Sequence, residues 1–346
     1  MSYLVVGSGL IGTSVGLALG RDGAEVFVED ADPFHAQAAE SLGAGSTAAP
    51  GDISVVVIAV PPQHLGKAVV QALERFPEAT VTDVGSVKGP PLQVARSHGA
   101  DLSRYVGSHP MAGSERSGPW AATADLFDGR AWAVTPHEDS DPAAVQAIRE
   151  LVARCGASVV ELSAAEHDAA VARVSHLPHL LSVLAAGALV DAPPQHLALS
   201  GPGLRDVTRI AAGDPALWQE IVTANAEPIR ALLQDVRNRL DELMRGVDDG
   251  SVTDVLQRGV EGTRLVPGKH GAPAPAYAVV YVAIPDRPGA LASLFSDAGE
   301  SGVNIEDLRI DHDPARPVGL VEVVVAEQAA ATLVRALSER GWSANQ

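Results

Sequence analysis

Gly7-Ser8-Gly9-Leu10-Ile11-Gly12, read GSGLIG, follows the apolar run Tyr3–Val6 without a break and opens an apolar helical pattern. Glycines at this spacing are common in proteins. The strand before them and the helix after them are what give the motif meaning. Gly7 permits a tight turn, Gly9 lets the main chain approach a diphosphate, and Gly12 lets the helix lie against the sheet. The helix amino terminus adds free N–H groups and a partial positive charge, which suit phosphate. Ser8, Leu10 and Ile11 belong to the same turn and are assigned with the glycines to dinucleotide binding.

Working outward, short β-rich runs recur at Glu25–Val28, Ser54–Val60, Thr80–Val84, Ala131–Val134 and Ser158–Leu162, each separated from the next by an amphipathic stretch. That rhythm predicts an α/β, Rossmann-type domain with a parallel, doubly wound sheet. The run after the glycine turn ends in Glu29-Asp30, where a carboxylate accepts hydrogen bonds from the adenosine ribose and repels the extra phosphate of NADP. NAD is the expected cofactor. Asp30, at the strand's end, is the preferred contact; a slip of one residue would make it Glu29. Val60 and Pro61, and Gly85 and Ser86 in TDVGSVKG, lie at further strand ends, where ligands of open α/β sheets collect.

The chain has 346 residues, 46% of them hydrophobic, enough for two or three domains. A formal net charge of −18 argues against a nucleic-acid or anionic-membrane partner. Cys155 is the single cysteine, so no internal disulfide framework exists, and a reducing, cytoplasmic setting fits. The amino terminus lacks the basic-then-apolar pattern of a secretory leader, and no segment reads as long and apolar enough to span a bilayer.

Residues 1–162 form the expected nucleotide-binding domain. From Ser163 strand signals cease, and alanine- and leucine-rich helical patterns run through Gly246, with a kink expected at Pro178. A further helix is expected from Ser251 to about Thr263. We assign 163–265 to an all-α substrate and dimerisation domain and 266–275, rich in proline and glycine, to a linker. Residues 276–346 read as strand, helix, two strands and helix, with room for a stub of a final strand, a small α+β, ferredoxin-like module.

The stretch Gly107–Gly118, GSHPMAGSERSG, holds a His, a Glu, an Arg and several glycines, little of which helps a core. It reads as a loop at a strand end. An imidazole there, near the Ser86 hydroxyl, makes a recognisable acid/base pair, because imidazole titrates near neutrality and can take a proton from an alcohol.

At this point the motifs carry a resemblance. Gly7-x-Gly9-x-x-Gly12, Asp83-Val84-Gly85-Ser86-Val87-Lys88 and His109-Pro110-Met111-Ala112-Gly113-Ser114-Glu115 look like the prephenate/arogenate dehydrogenase family of tyrosine biosynthesis. So do His167-Asp168, Ser175-His176-Leu177-Pro178-His179 and Arg205-Asp206-Val207-Thr208-Arg209 through Trp218. The resemblance runs from the first strand to roughly Thr263. It implies NAD-dependent oxidative decarboxylation of prephenate or arogenate, with His109 as base and Ser86 as its orienting partner. It also implies Arg209 as the carboxylate anchor, for which a guanidinium fork is suited. His179 and Glu115 match further substrate contacts, with His167, His176, Arg205 and Trp218 as weaker members of the pocket, and a homodimer is implied through the helical region. Helix capping by Glu115 and simple core packing by Trp218 remain alternatives. His176 and His179 could also be read as metal ligands, but no convincing third ligand stands nearby and the reaction needs no metal.

Residues Ile284–Ile310 resemble an ACT domain. That implies an amino-acid effector, tyrosine, near Asp286, Pro288 and Gly289 and near Asn304 and Ile305, or an assembly module without a ligand. Two other readings stay open at this stage. One is a different β-hydroxyacid-type dehydrogenase, against which stands the absence of lysine between Lys88 and Lys269. The other is a non-catalytic sensor of NAD and an amino acid.

Overall fold

The computed structural model describes residues 1–113, 116–266, 276–312 and 318–346. The chain divides into two compact units, 1–240 and 241–346.

In the first unit, β1 (Ser2–Val6), β2 (Glu25–Glu29), β3 (Val55–Ile58) and β4 (Thr80–Asp83) form a parallel sheet in the order β2-β1-β3-β4. Helices α1 (Leu10–Arg21), α2 (Pro33–Ser41) and α3 (Pro62–Arg75) make the crossovers, and α4 (Gly89–Ser97) follows β4. Alternation along the strands fixes the layers. Tyr3, Val5, Val55 and Val57 pack on one side with Val15 and Leu19 of α1. Leu4, Val56 and Ile58 pack on the other with Leu65, Val69 and Leu73 of α3. Both faces are covered, so β1 and β3 are apolar at almost every position. Each fully buried valine or leucine contributes about 1.5–3 kcal/mol.

The expectation of one wholly parallel sheet needs correction. β5 (Gly107–Pro110), β6 (Ala131–Thr135) and β7 (Ser158–Glu161) form a separate three-stranded sheet, with β5 antiparallel to β6 and β7 parallel to it across α5 (Pro142–Arg154). An isolated bridge between Val81 and Tyr105 joins the two sheets. The segment expected as a loop around His109 is therefore a strand. Its buried face carries Ser108, whose hydroxyl donates to the Asp83 carbonyl (2.9 Å) and accepts from the Thr82 hydroxyl (3.0 Å). Hydrogen bonds here do what apolar alternation does in β1, and leave no apolar pattern to read.

Helix α6 (Ala164–Val171) begins at a reciprocal cap between Ser163 and Glu166. A wide π-turn, Ala172–His176, then leads into α7 (Leu177–Gly187). This is where the kink expected at Pro178 resides: proline offers no N–H to the carbonyl four residues back, and the wider turn just before it absorbs the misfit. By length and composition the continuous run Ala164–Gly187 is enough to cross a bilayer, contrary to the sequence expectation. Its polar side chains are nevertheless the buried ones: His167, Asp168, His176, His179 and Ser182. Val171 and Ala172 are buried with them, whereas along α7 Leu181, Val183 and Leu184 face outward, Leu184 being 66% exposed and Val190, just beyond, 81% exposed. Short helices α8 (Pro194–Leu197) and α9 (Pro202–Thr208) and a 3₁₀ turn, Arg209–Ala212, precede α10 (Pro215–Ala224) and the long α11 (Ala226–Asp249).

In the second unit, α12 (Thr253–Thr263) is followed, beyond the expected linker, of which only Val266 is described, by an antiparallel sheet in the order β11-β8-β10-β9. Its strands are β8 (Tyr277–Pro285), β9 (Asp307–His312), β10 (Val318–Ala326) and β11 (Ser343–Asn345). Helices α13 (Ala290–Glu300) and α14 (Glu327–Glu339) cover one face through Leu294, Leu333 and Leu337 against Val280, Val282, Val321 and Val323. The stub of a last strand is β11, antiparallel to β8.

Candidate active site

The turn between β1 and α1 has the geometry its glycines require. Gly7 has φ +102°, a conformation that favours glycine, and a Cβ at Gly12 would overlap the Gly7 carbonyl oxygen. Above Gly9 the space is open, and the buried Ser8 hydroxyl has no partner among the described residues. Leu10 and Ile11 open α1 just beyond Gly9. Open space, an unused hydroxyl and a helix amino terminus without acidic residues in its first turn fit a dinucleotide diphosphate.

The two carboxylates at the end of β2 are separated by their partners. Glu29 forms a two-pronged pair with the Arg75 guanidinium (2.6 and 2.7 Å). Asp30 lies at the turn itself, accepting from the Ser8 N–H (2.5 Å) and the Asp32 N–H (2.8 Å). Val60 and Pro61 form the β3–α3 turn, where Pro61 caps α3. Gly85 and Ser86 are partly exposed just past β4.

Beneath that turn lies a group that sequence reasoning missed. The Lys88 ammonium, fully buried, donates to the Asp83 carboxylate and to the Ser108 carbonyl (2.6 Å). Asp83 also accepts from the Tyr105 hydroxyl (2.7 Å) and the Gly85 N–H (2.9 Å). Burial pushes the Lys88 ammonium down and the Tyr105 phenol well up. Lys88 thus pins the carbonyl next to His109. Its sequence signal was its place in the Asp83–Lys88 motif, in which the lysine carried no assigned role.

His109 faces away from buried Ser108 and is partly exposed. Its Nδ1 lies 2.9 Å from His167 Nε2, and His167 Nδ1 lies 2.8 Å from Asp168 Oδ1. The side group expected to orient His109 was Ser86; the group that contacts the ring is His167, and no hydrogen bond joins Ser86 to it among the described residues. Burial, followed by the neighbouring His167 and Lys88, holds His109 well below the ordinary histidine range. A neutral base results. Burial would raise the Asp168 carboxyl, but His167 and the N–H groups of Lys88 and Gly89 outweigh it and hold it low.

The π-turn brings the remaining polar groups round. Eight residues of regular helix would leave Asp168 and His176 about 80° apart about the axis, and the wider turn removes most of that. The buried Asn225 amide, also missed in the sequence, donates to the Asp168 carbonyl (2.8 Å) and to His176 Nδ1 (3.2 Å). Burial depresses His176 to about 4. His179 stacks on Trp218, with ring centroids 3.5 Å apart and planes 6° from parallel, and burial lowers it despite its hydrogen bond to the Ile210 carbonyl. Arg205 and Arg209 are exposed on α9 and the following turn, which packs on α7, and no ion pair engages either among the described residues. Glu115 lies outside the described residues.

Residues 15–161 match the family described as prephenate dehydrogenase, nucleotide-binding domain, and residues 163–259 the one described as prephenate dehydrogenase, dimerization domain. The chain belongs to the prephenate dehydrogenase family of oxidoreductases. It is 36% identical to the probable prephenate dehydrogenase NovF of Streptomyces niveus over 99% of both chains. Among solved prephenate dehydrogenase relatives, the Aquifex aeolicus enzyme in complex with hydroxyphenyl propionate and NAD+ superposes with a TM-score of 0.69 at 26% identity, covering 76% of this chain and 96% of that one. Synechocystis arogenate dehydrogenase gives 0.67 at 27% identity, over 76% of this chain and 99% of that one.

In the second unit, Asp286, Pro288 and Gly289 line a hollow of about 360 Å³ with Arg287, Ile310 and Gly319. Asn304 and Ile305 do not line it. The Asn304 amide donates to Glu306 (2.6 Å), and Ile305 packs against the module's core. The match to the family ends at residue 259, before this module.

Proposed function

We propose that the chain catalyses NAD-dependent oxidative decarboxylation of prephenate, or of its amino counterpart arogenate, with His109 as general base. The observation that carries this reading is the partly exposed His109 imidazole on β5, in hydrogen-bonding contact with His167 on the buried polar face of α6. The substrate is a non-aromatic ring bearing a hydroxyl at one end and a carboxylate at the other. His109 takes the hydroxyl proton as the carbon beneath loses hydride. The bond to the ring carboxylate then breaks, carbon dioxide leaves, and its electron pair enters the ring, which becomes aromatic. NAD, when bound, supplies the hydride acceptor. Gly7, Ser8, Gly9, Gly12 and Asp30 are the residues that would hold it.

Both substrates carry two carboxylates. Arg209, an exposed guanidinium with no ion pair among the described residues, in the turn whose Ile210 carbonyl holds His179, supplies the cation, with Arg205 nearby. The outward apolar face of α7 supports a homodimer built through the helical region. The buried Cys155 thiol, pushed up to about 12 by burial, suits a reducing cytoplasm. In the carboxyl-terminal module we assign the hollow at Asp286, Pro288 and Gly289 to tyrosine as feedback effector.

His109→Asn tests the central claim. Turnover should fall about 100-fold or more while dinucleotide affinity stays near that of the native chain; unchanged turnover removes His109 from the reaction. Rates with prephenate and arogenate, each with NAD and NADP, fix substrate and cofactor. Removal of residues 272–346 should abolish inhibition by tyrosine, and inhibition that persists would move the effector to the first unit.

A further inference from the structure

We infer that His167 and Asp168 are positioning residues that fix the tautomer of His109, so that the His109 lone pair stands on Nε2. The inference rests on His109 acting as the base.

The chain of reasoning starts at a carboxylate that can only accept. Asp168 Oδ1 takes the Lys88 N–H at 2.8 Å and Oδ2 takes the Gly89 N–H at 2.8 Å. Both donors are main-chain groups at the start of α4, so no side-chain rotation can release them. Asp168 Oδ1 also contacts His167 Nδ1 at 2.8 Å, so that nitrogen must carry the proton. With His167 as the single-proton imidazole, a lone pair is left on its Nε2. That lone pair faces His109 Nδ1 at 2.9 Å. His109 must therefore donate from Nδ1, and its free lone pair falls on Nε2, the nitrogen turned away from His167. The other neutral tautomer would set two lone pairs against each other at that distance.

Burial makes the arrangement strict. His167 is 1% exposed and Asp168 is 7% exposed, so water is kept from replacing either partner. The rings meet edge to face, centroids 5.1 Å apart and planes 73° from parallel, which points a ring edge of one at the other. Once His109 has taken a proton, Nδ1 still donates to His167 Nε2, so protonation at Nε2 breaks no bond in the chain. The turn that holds Asp168 is continuous with Gly85 and Ser86. One main-chain segment therefore lines the proposed dinucleotide site and sets the proton position on the base. His167, expected in the substrate pocket, acts here through His109.

Asp168→Asn is the direct test. Its amide can present N–H to His167, which reverses every proton along the chain and puts N–H on His109 Nε2. Turnover should fall roughly 100- to 10,000-fold, the scale seen when an orienting aspartate elsewhere is replaced by asparagine, with the substrate KM changed only a few-fold. The ¹⁵N resonances of His109 should exchange their protonated and unprotonated assignments. His167 gives a second arm should Asp168→Asn fail to fold. His167→Leu should lose activity to the same degree, whereas His167→Gln, whose carbonyl can accept from His109 Nδ1, should recover at least tenfold over the leucine variant. If His109→Asn abolishes turnover while Asp168→Asn and His167→Leu preserve both turnover and the ¹⁵N pattern, the inference fails. If His109→Asn leaves turnover intact, the fault lies with the reading of His109 as base. Equal loss in His167→Gln and His167→Leu also overturns the tautomer account.

Discussion

The sheet region and the helical region of the first unit bury opposite kinds of residue. Around β1 and β3 the interior is valine, leucine and tyrosine, and polar groups gather at strand ends. Along α6 and α7 the interior is mostly polar, with His167, Asp168, His176, His179 and Ser182 beside Val171, while Leu184 and Val190 face outward. A sheet covered on both sides is complete as it stands. A helix with its chemistry inside and its hydrocarbon outside calls for a second apolar surface, and residues 163–259 match a family described as a dimerization domain, which supports the proposed homodimer.

The largest effect should come from the outward face. Leu184→Glu with Val190→Glu should convert a dimer into a species of half the mass by light scattering, while a charge placed on exposed Gln146 of α5 should change nothing. A mass unaltered by the double variant would remove the contrast. Within the sheet region, Lys88→Met leaves the Asp83 carboxylate buried without its cation and should cost about 3–5 kcal/mol in denaturant unfolding. Pairing it with Asp83→Asn, which removes the charge but keeps an oxygen to accept a hydrogen bond, should recover part of that; no recovery would mean that the uncompensated charge is not the source of the loss.

Acid should weaken the helical region through its histidines. Unfolded histidine takes up a proton below about 6.5, whereas His176 in the fold resists to about 4. Its folded value is depressed, so its contribution is complete above about 6.5 and is lost as the pH falls from there through about 4, in all about 3 kcal/mol. His109 and His179 are shifted in the same direction. Stability that stays level between pH 7 and 4.5 would contradict this, and Asn225→Leu, which removes the donor to His176 Nδ1, should flatten the curve. The smallest effect sharpens the role of the exposed cations. Arg209→Ala should raise the apparent substrate constant about tenfold, the scale of one charge-assisted hydrogen bond, with dinucleotide binding untouched. A selective effect on the dinucleotide would place Arg209 elsewhere.

How far these features could be read in advance follows from the range of the interactions. GSGLIG is local: strand, turn and helix lie within a few residues, and the turn carries its own signal. Placing His109 took several motifs together, since Gly-Ser-His-Pro has no apolar alternation and its strand is held by the Ser108 hydroxyl bonding to β4 and by Lys88, at the start of α4, reaching the Ser108 carbonyl. The Asp83–Lys88–Tyr105 cluster pairs residues up to 22 apart, and Asn225 reaches back 57 to Asp168. No local pattern reports such contacts. Pro178 announced a disturbance but not its form, because a π-turn and a kink answer the same missing N–H.

Asp30 ties the glycine turn to the end of β2 through the Ser8 N–H. Engineers who wish to change a dehydrogenase's coenzyme preference commonly begin by deleting this acid. Here that deletion would also unlatch the turn proposed to cradle the diphosphate, so a redesign toward the phosphorylated coenzyme must supply a new acceptor for Ser8 before it gains anything from added arginines.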